Sequence, residues 1–100
     1  MDAIITRLTL RPPVEWNVLA TAFSAFEASL TPYRPAFHGA SLVRTGESEA
    51  VILVIFADRA TLDAVSRDIA APWFAEHVRP LLAAPAERLV GPILAGSLGV

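Results

Sequence analysis

The sequence contains no cysteine. That excludes disulfides, thiolate zinc sites and a thiol nucleophile. It also contains no lysine: all eight basic residues are arginine, so a lysine Schiff base is excluded. An Ala- and Arg-rich chain without lysine is what the codon usage of a GC-rich bacterial genome produces. Net charge is −2 with no basic cluster, which speaks against nucleic acid as a partner. No apolar run approaches the ~20 residues of a membrane span. The start, MDAIITRLTL, has neither a basic leader nor a cleavage-like site, so we expect a cytoplasmic protein rather than a secreted one. No GxSxG, Walker loop, GxGxxG or HExxH occurs. The AGSLG near the end reads as a flexible tail, since no helix follows it to make a phosphate loop.

What is present is apolar. Hydrophobic residues make up 54% of the 100 positions, enough for one domain over residues 1–100 and more than a chain this short can bury in itself. Ile4 to Leu10 alternates as a strand, with Ile5, Arg7 and Thr9 on one face and Ile4, Thr6, Leu8 and Leu10 on the other. Pro12 and Pro13 end it. The period then changes: Leu19, Ala22, Phe23, Phe26 and Leu30 make one helical stripe, closed by Pro32 and Pro35. Phe37 to Arg44 is a second strand, Gly46 turns the chain, and Val51 to Phe56 is a third. Asp58 or Thr61 caps a second helix with Leu62, Val65 and Ile69 on its stripe. Pro72 should break this helix, which restarts and runs from Trp73 to about Leu82. Leu89 to Ala95 is a last strand, and Pro92 places it at an edge or bulge.

The order is βαββαβ, the α+β plan of ferredoxin-like folds, in which two helices cover one face of a four-stranded antiparallel sheet. The third strand, VILVIF, is apolar on both faces. Something must cover its second face, and the expected cover is the same face of a second copy, giving a homodimer. The tail after Pro92 is placed to extend that contact.

At this point the chain resembles the dimeric α/β-barrel proteins, and among them the antibiotic biosynthesis monooxygenase-like (ABM) group. The resemblance rests on PAFHGASLVR after the first helix, the solid apolar third strand, and APWFAEHVRPLL running into ERLVGPILAG. It implies a ligand pocket between sheet and helices in each subunit. It also implies either cofactor-free oxygenation of an aromatic or polycyclic molecule or, as a weaker option, haem binding. Family enzymes use an asparagine near the substrate. The one asparagine here is Asn17, at the start of the first helix, and Phe56 stands where many members carry a tryptophan.

His77 is the candidate acid/base. On a continuous helix it shares an arc of roughly 140° with Trp73, Phe74, Val78 and Leu81, so it should face the helix–sheet space. There it could act as a pocket-lining acid/base or ligate haem, or simply be a half-buried histidine bonded to a carbonyl or carboxylate. Trp73, Phe74, Phe23 and Phe26 read as core, and the same rings would wall a site for a flat ligand. Gly39 leaves space beside Phe37, which favours that face of the second strand for close approach by a helix or ligand. His38 lies on the opposite face, in phase with Ala40, Leu42 and Arg44, and reads as structural or as part of an interface. Two histidines with no carboxylate at ligand spacing give no metal site, and no cofactor is expected. Glu47 and Glu49 read as solvated. Two functions follow. One is a cofactor-free monooxygenase that reacts O₂ with a deprotonated, electron-rich substrate in a dry pocket. The other is a non-catalytic dimeric module that binds a small ligand or is packed solid.

Overall fold

The alternation at the start of the chain produces β1 (Asp2–Thr9), whose Ile4, Thr6 and Leu8 are buried while Ile5, Arg7 and Thr9 are exposed. The computed structural model describes residues 1–96. Leu10 adds one isolated bridge to Leu82. The first amphipathic stripe is α1 (Trp16–Ser29), with Leu19, Phe23 and Phe26 buried and Leu30 capping its end. A short 3₁₀ turn (Thr31–Tyr33) leads into β2 (Phe37–Arg44), and a turn at Gly46 leads into β3 (Glu49–Phe56). In that turn the Thr45 and Gly46 N–H groups both donate to the Glu49 carbonyl.

The second helical region has more parts than its sequence suggests. Asp58 caps α2 (Arg59–Val65), accepting from the Thr61 N–H at 2.7 Å and its hydroxyl at 3.1 Å. A π-helical turn (Ser66–Ala70) follows, then α3 (Ala71–His77) with Pro72 in its first turn, then a 3₁₀ turn (Arg79–Leu81). Pro72 interrupts the helix as expected, and the interruption takes the form of a widened turn just upstream. Proline has no N–H to give and its ring crowds the carbonyl four residues back; a π turn absorbs both without a sharp bend. The restarted helix ends at His77, not near Leu82.

The last strand is β4 (Glu87–Pro92), two residues earlier than its apolar run suggests. The sheet order is β2-β3-β1-β4 with every neighbouring pair antiparallel. Pro92 therefore lies at the end of an edge strand, where a missing donor costs little. The tail beyond Gly96, most of AGSLG, and its expected reach onto a partner lie outside the described residues.

The register sorts side chains onto two faces. Toward the helices, Ala40, Val54, Ile4 and Val90 form one cross-sheet row, and Leu42, Ile52, Thr6 and Arg88 the next. Away from them stand Ser41, Leu53, Ile5 and Leu89, flanked by the Gly39–Ile55–Ala3–Gly91 and Val43–Val51–Arg7–Glu87 rows. Within one chain this second face is uncovered: Ile5 is 38% exposed, Val43 48% and Leu89 50%. So VILVIF buries Ile52, Val54 and Phe56 under the helices, while Val51, Leu53 and Ile55 are only half-buried.

One expectation about β2 is corrected. The pairing skips His38 between Phe37 and Gly39, a β-bulge. The extra residue reverses the phase of the strand's first residue relative to the rest. Phe37 consequently shares the helix-facing side with Ala40 and Leu42, whereas Gly39 pairs with Ile55 on the open side, with no atom within 4 Å of where a Cβ would stand. Among the described residues no helix is long and apolar enough to cross a membrane.

Candidate functional site

The helices do not lie flat on the sheet along its whole length. Between β1 and β3 below and α1 to α3 above is a cavity of about 610 Å³, within the range of small-molecule sites. Its floor is Ile4, Thr6, Ile52 and Val54; its walls include Phe26, Trp73 and Phe74.

Trp73 organises the wall. It stacks on Phe26 with ring centroids 4.6 Å apart at 25°, meets Phe23 edge-on at 6.2 Å, and donates its indole N–H to the Ala22 carbonyl at 3.1 Å. A stacked and hydrogen-bonded tryptophan is fixed in orientation, so it offers a rigid apolar surface. Phe23 and Phe37 stand elsewhere. Phe23 is buried behind Trp73, and Phe37 packs against Phe56 at 5.8 Å under the Arg34 guanidinium. Neither lines the cavity. Of the five aromatic residues singled out in the sequence, Trp73, Phe74 and Phe26 line the cavity.

His77 does not face the helix–sheet space. Its side chain is 44% exposed, it is absent from the cavity lining, and its nearest carboxylate is the adjacent Glu76 at 3.8 Å. Its ring lies 6.1 Å from that of Trp73. The expectation assumed a helix continuing to Leu82. Instead α3 stops at His77, which lies on its exposed flank, while Val78, with φ −109°, is fully buried. Leu81 is exposed as well. Asn17, in the first turn of α1, is exposed and also absent from the lining.

The cavity mouth carries charges the sequence reading passed over: Asp63, Arg67, Arg79 and Arg88. Arg67 grips Asp68 through two bonds, at 2.9 and 3.2 Å. This pairing holds the Asp68 carboxyl below its ordinary pKa and pushes the Arg67 guanidinium above its own. Asp63 is paired with Arg59 at 3.3 Å. Arg88 reaches from β4 across the opening to the Ser66 hydroxyl at 3.2 Å. The signal that could have found Arg88 is its alternation with Leu89, which puts the two on opposite faces of the sheet. Among the described residues no group of three or more His, Asp or Glu side chains is placed to hold a metal ion.

No sequence-family model matches the chain, and no curated protein matches it significantly in sequence. Solved structures do match in shape. A candidate antibiotic biosynthesis monooxygenase from Nitrosomonas europaea superposes with a TM-score of 0.77 at 11% identity, covering 95% of this chain and 100% of that one. The Rv0793 protein from Mycobacterium tuberculosis gives 0.74 at 20% identity, covering 97% and 98%. SnoaB from Streptomyces nogalater, a cofactor-independent oxygenase, gives 0.72 at 15% identity, covering 99% and 97%. Element order, sheet order and these superpositions together give the chain the ferredoxin-like α+β fold of the antibiotic biosynthesis monooxygenases.

Proposed function

We propose that this chain is a single ABM-like domain that forms a cytoplasmic homodimer through its open sheet face. Its helix–sheet cavity would receive an aromatic or polycyclic small molecule, on which it acts as a cofactor-free monooxygenase. The observation that carries the reading is the cavity itself, with its fixed Trp73–Phe26 wall and aliphatic floor. Such a lining excludes water from a flat ligand and offers it stacking surface. A substrate methylene activated by a ring and a carbonyl loses a proton, and the carbanion reduces O₂. Loss of water from the resulting peroxide leaves a carbonyl. CH₂ and O₂ become C=O and H₂O, and the substrate supplies all four electrons.

A second reading, a non-catalytic module that binds the same class of ligand, is favoured by one observation. His77, the residue expected to take the proton, and Asn17 both stand outside the cavity lining. Oxygen uptake separates the two. With anthrone, a three-ring ketone with an acidic methylene, the enzymatic reading gives uptake with stoichiometric quinone at a rate above the buffer reaction, and Ala71→Trp at the exposed cavity mouth abolishes the excess. Binding of anthrone without excess uptake establishes the module. Absence of both removes the ligand reading.

A further inference from the structure

Thr6 interrupts an otherwise aliphatic floor. It is 8% exposed, lines the cavity, and stands in register with Arg88 of β4 on the same side of the sheet. Arg88 in turn touches Ser66 of the π-helical turn. Three hydrogen-bonding groups, from β1, β4 and the π turn, thus meet the cavity at its β4 end, while Phe26, Trp73 and Phe74 supply aromatic wall.

The charges at the mouth do not cancel. Arg67 is neutralised by Asp68 and Asp63 by Arg59. Arg79 and Arg88 pair with no carboxylate among the described residues. The opening of an apolar cavity therefore carries two uncompensated guanidinium groups, in a chain whose net charge is −2. Such a field attracts anions to this opening against the overall charge. The bond to Ser66 uses one terminal nitrogen of Arg88, and the remaining donors of a planar guanidinium match the two oxygens of a carboxylate.

Building on the cavity as a ligand site, the geometry points to an aromatic carboxylate as its ligand, with rings against Trp73 and Phe26 and the carboxylate on Arg88, assisted by the Thr6 hydroxyl. Arg79 adds to the positive field at the opening. The apolar residues hold the body of the ligand and Arg88 sets its direction.

The test uses two fluorescent probes of one shape and different charge, anthracene-2-carboxylate and anthracene-2-carboxamide, followed by anisotropy at low ionic strength. The carboxylate should bind about tenfold more tightly, and the difference should shrink with added salt. Arg88→Gln should remove the preference by bringing carboxylate binding down to the level of the carboxamide. Arg88 is exposed, so the variant should fold, with circular dichroism as the check. Equal binding of both probes, or a preference that survives Arg88→Gln, overturns the carboxylate assignment while leaving the aromatic site standing. No binding of either probe overturns both.

Discussion

Trp73 and His77 lie one helical turn apart, yet the structure gives them different surroundings. Trp73 is held by a stack on Phe26 and a bond to the Ala22 carbonyl. Trp73→Phe should lower stability by about 1 kcal/mol in urea unfolding, because it removes that hydrogen bond while keeping most of the apolar contact. His77→Ala should stay within about 0.5 kcal/mol of the parent and leave probe affinity unchanged, since the side chain is exposed and lies outside the cavity lining. Phe37→Ala should cost about 3–5 kcal/mol, as expected of a fully buried ring packed against Phe56. The aromatic wall was legible from spacing alone: Phe26, Trp73 and Phe74 sit where a 3.6-residue period points them inward. The exclusion of His77 was not, because periodicity places it on the apolar arc without saying which part of that arc meets the sheet, and the buried part is the one at Val78.

The elements themselves followed from pattern: four strands, two helical regions and their order, with Pro92 leaving β4 an edge or a bulge, of which the sheet shows the edge. Two local insertions did not. The bulge at His38 and the π turn at Ser66–Ala70 each add one residue to a regular repeat. Hydrophobic periodicity cannot announce a phase slip until the partner strand or helix is known. The slip in β2 moves Gly39 to the open face; the π turn brings Ser66 and Ala70 to the cavity. The cap of α2 was readable and makes a pH prediction. Bonds from the Thr61 N–H and hydroxyl hold the Asp58 carboxyl below its ordinary pKa. A depressed carboxylate contributes stability that is fully present above its unfolded-state pKa and disappears as pH falls through the folded value. Asp58→Ala should therefore lower Tm at neutral pH. The gap from the parent should close once the pH is below the normal aspartate range, as followed by circular dichroism melts at stepped pH.

At the scale of the molecule, the two faces of one sheet have different tasks. The helix-facing side is core and cavity floor. The open side shows Ile5, Val43 and Leu89 around half-buried Leu53 and Ile55. Such side chains are each worth ~1.5–3 kcal/mol on full burial, and a second copy related by a two-fold axis offers a self-complementary cover. Sedimentation velocity should show a dimer at micromolar concentration. Ile55→Asp, on the open face, should leave a folded monomer, whereas Val54→Asp, on the helix face, should unfold the chain. A parent that sediments as a monomer would remove the dimer and leave the fold untouched.

The sheet also carries its own reporters for the cavity. Ile4 and Ile52 lie on the cavity floor, and Ile5 and Ile55 lie on the opposite face. The measurement that tests the account most directly is the methyl spectrum of isoleucine-labelled protein as an aromatic ligand, anthracene-2-carboxylate, is added. A flat ring seated under Trp73 should shift the Ile4 and Ile52 methyls by ring current and leave those of Ile5 and Ile55 in place. Movement confined to Ile5 and Ile55, or no movement at a saturating concentration, would contradict the placing of the ligand site between sheet and helices.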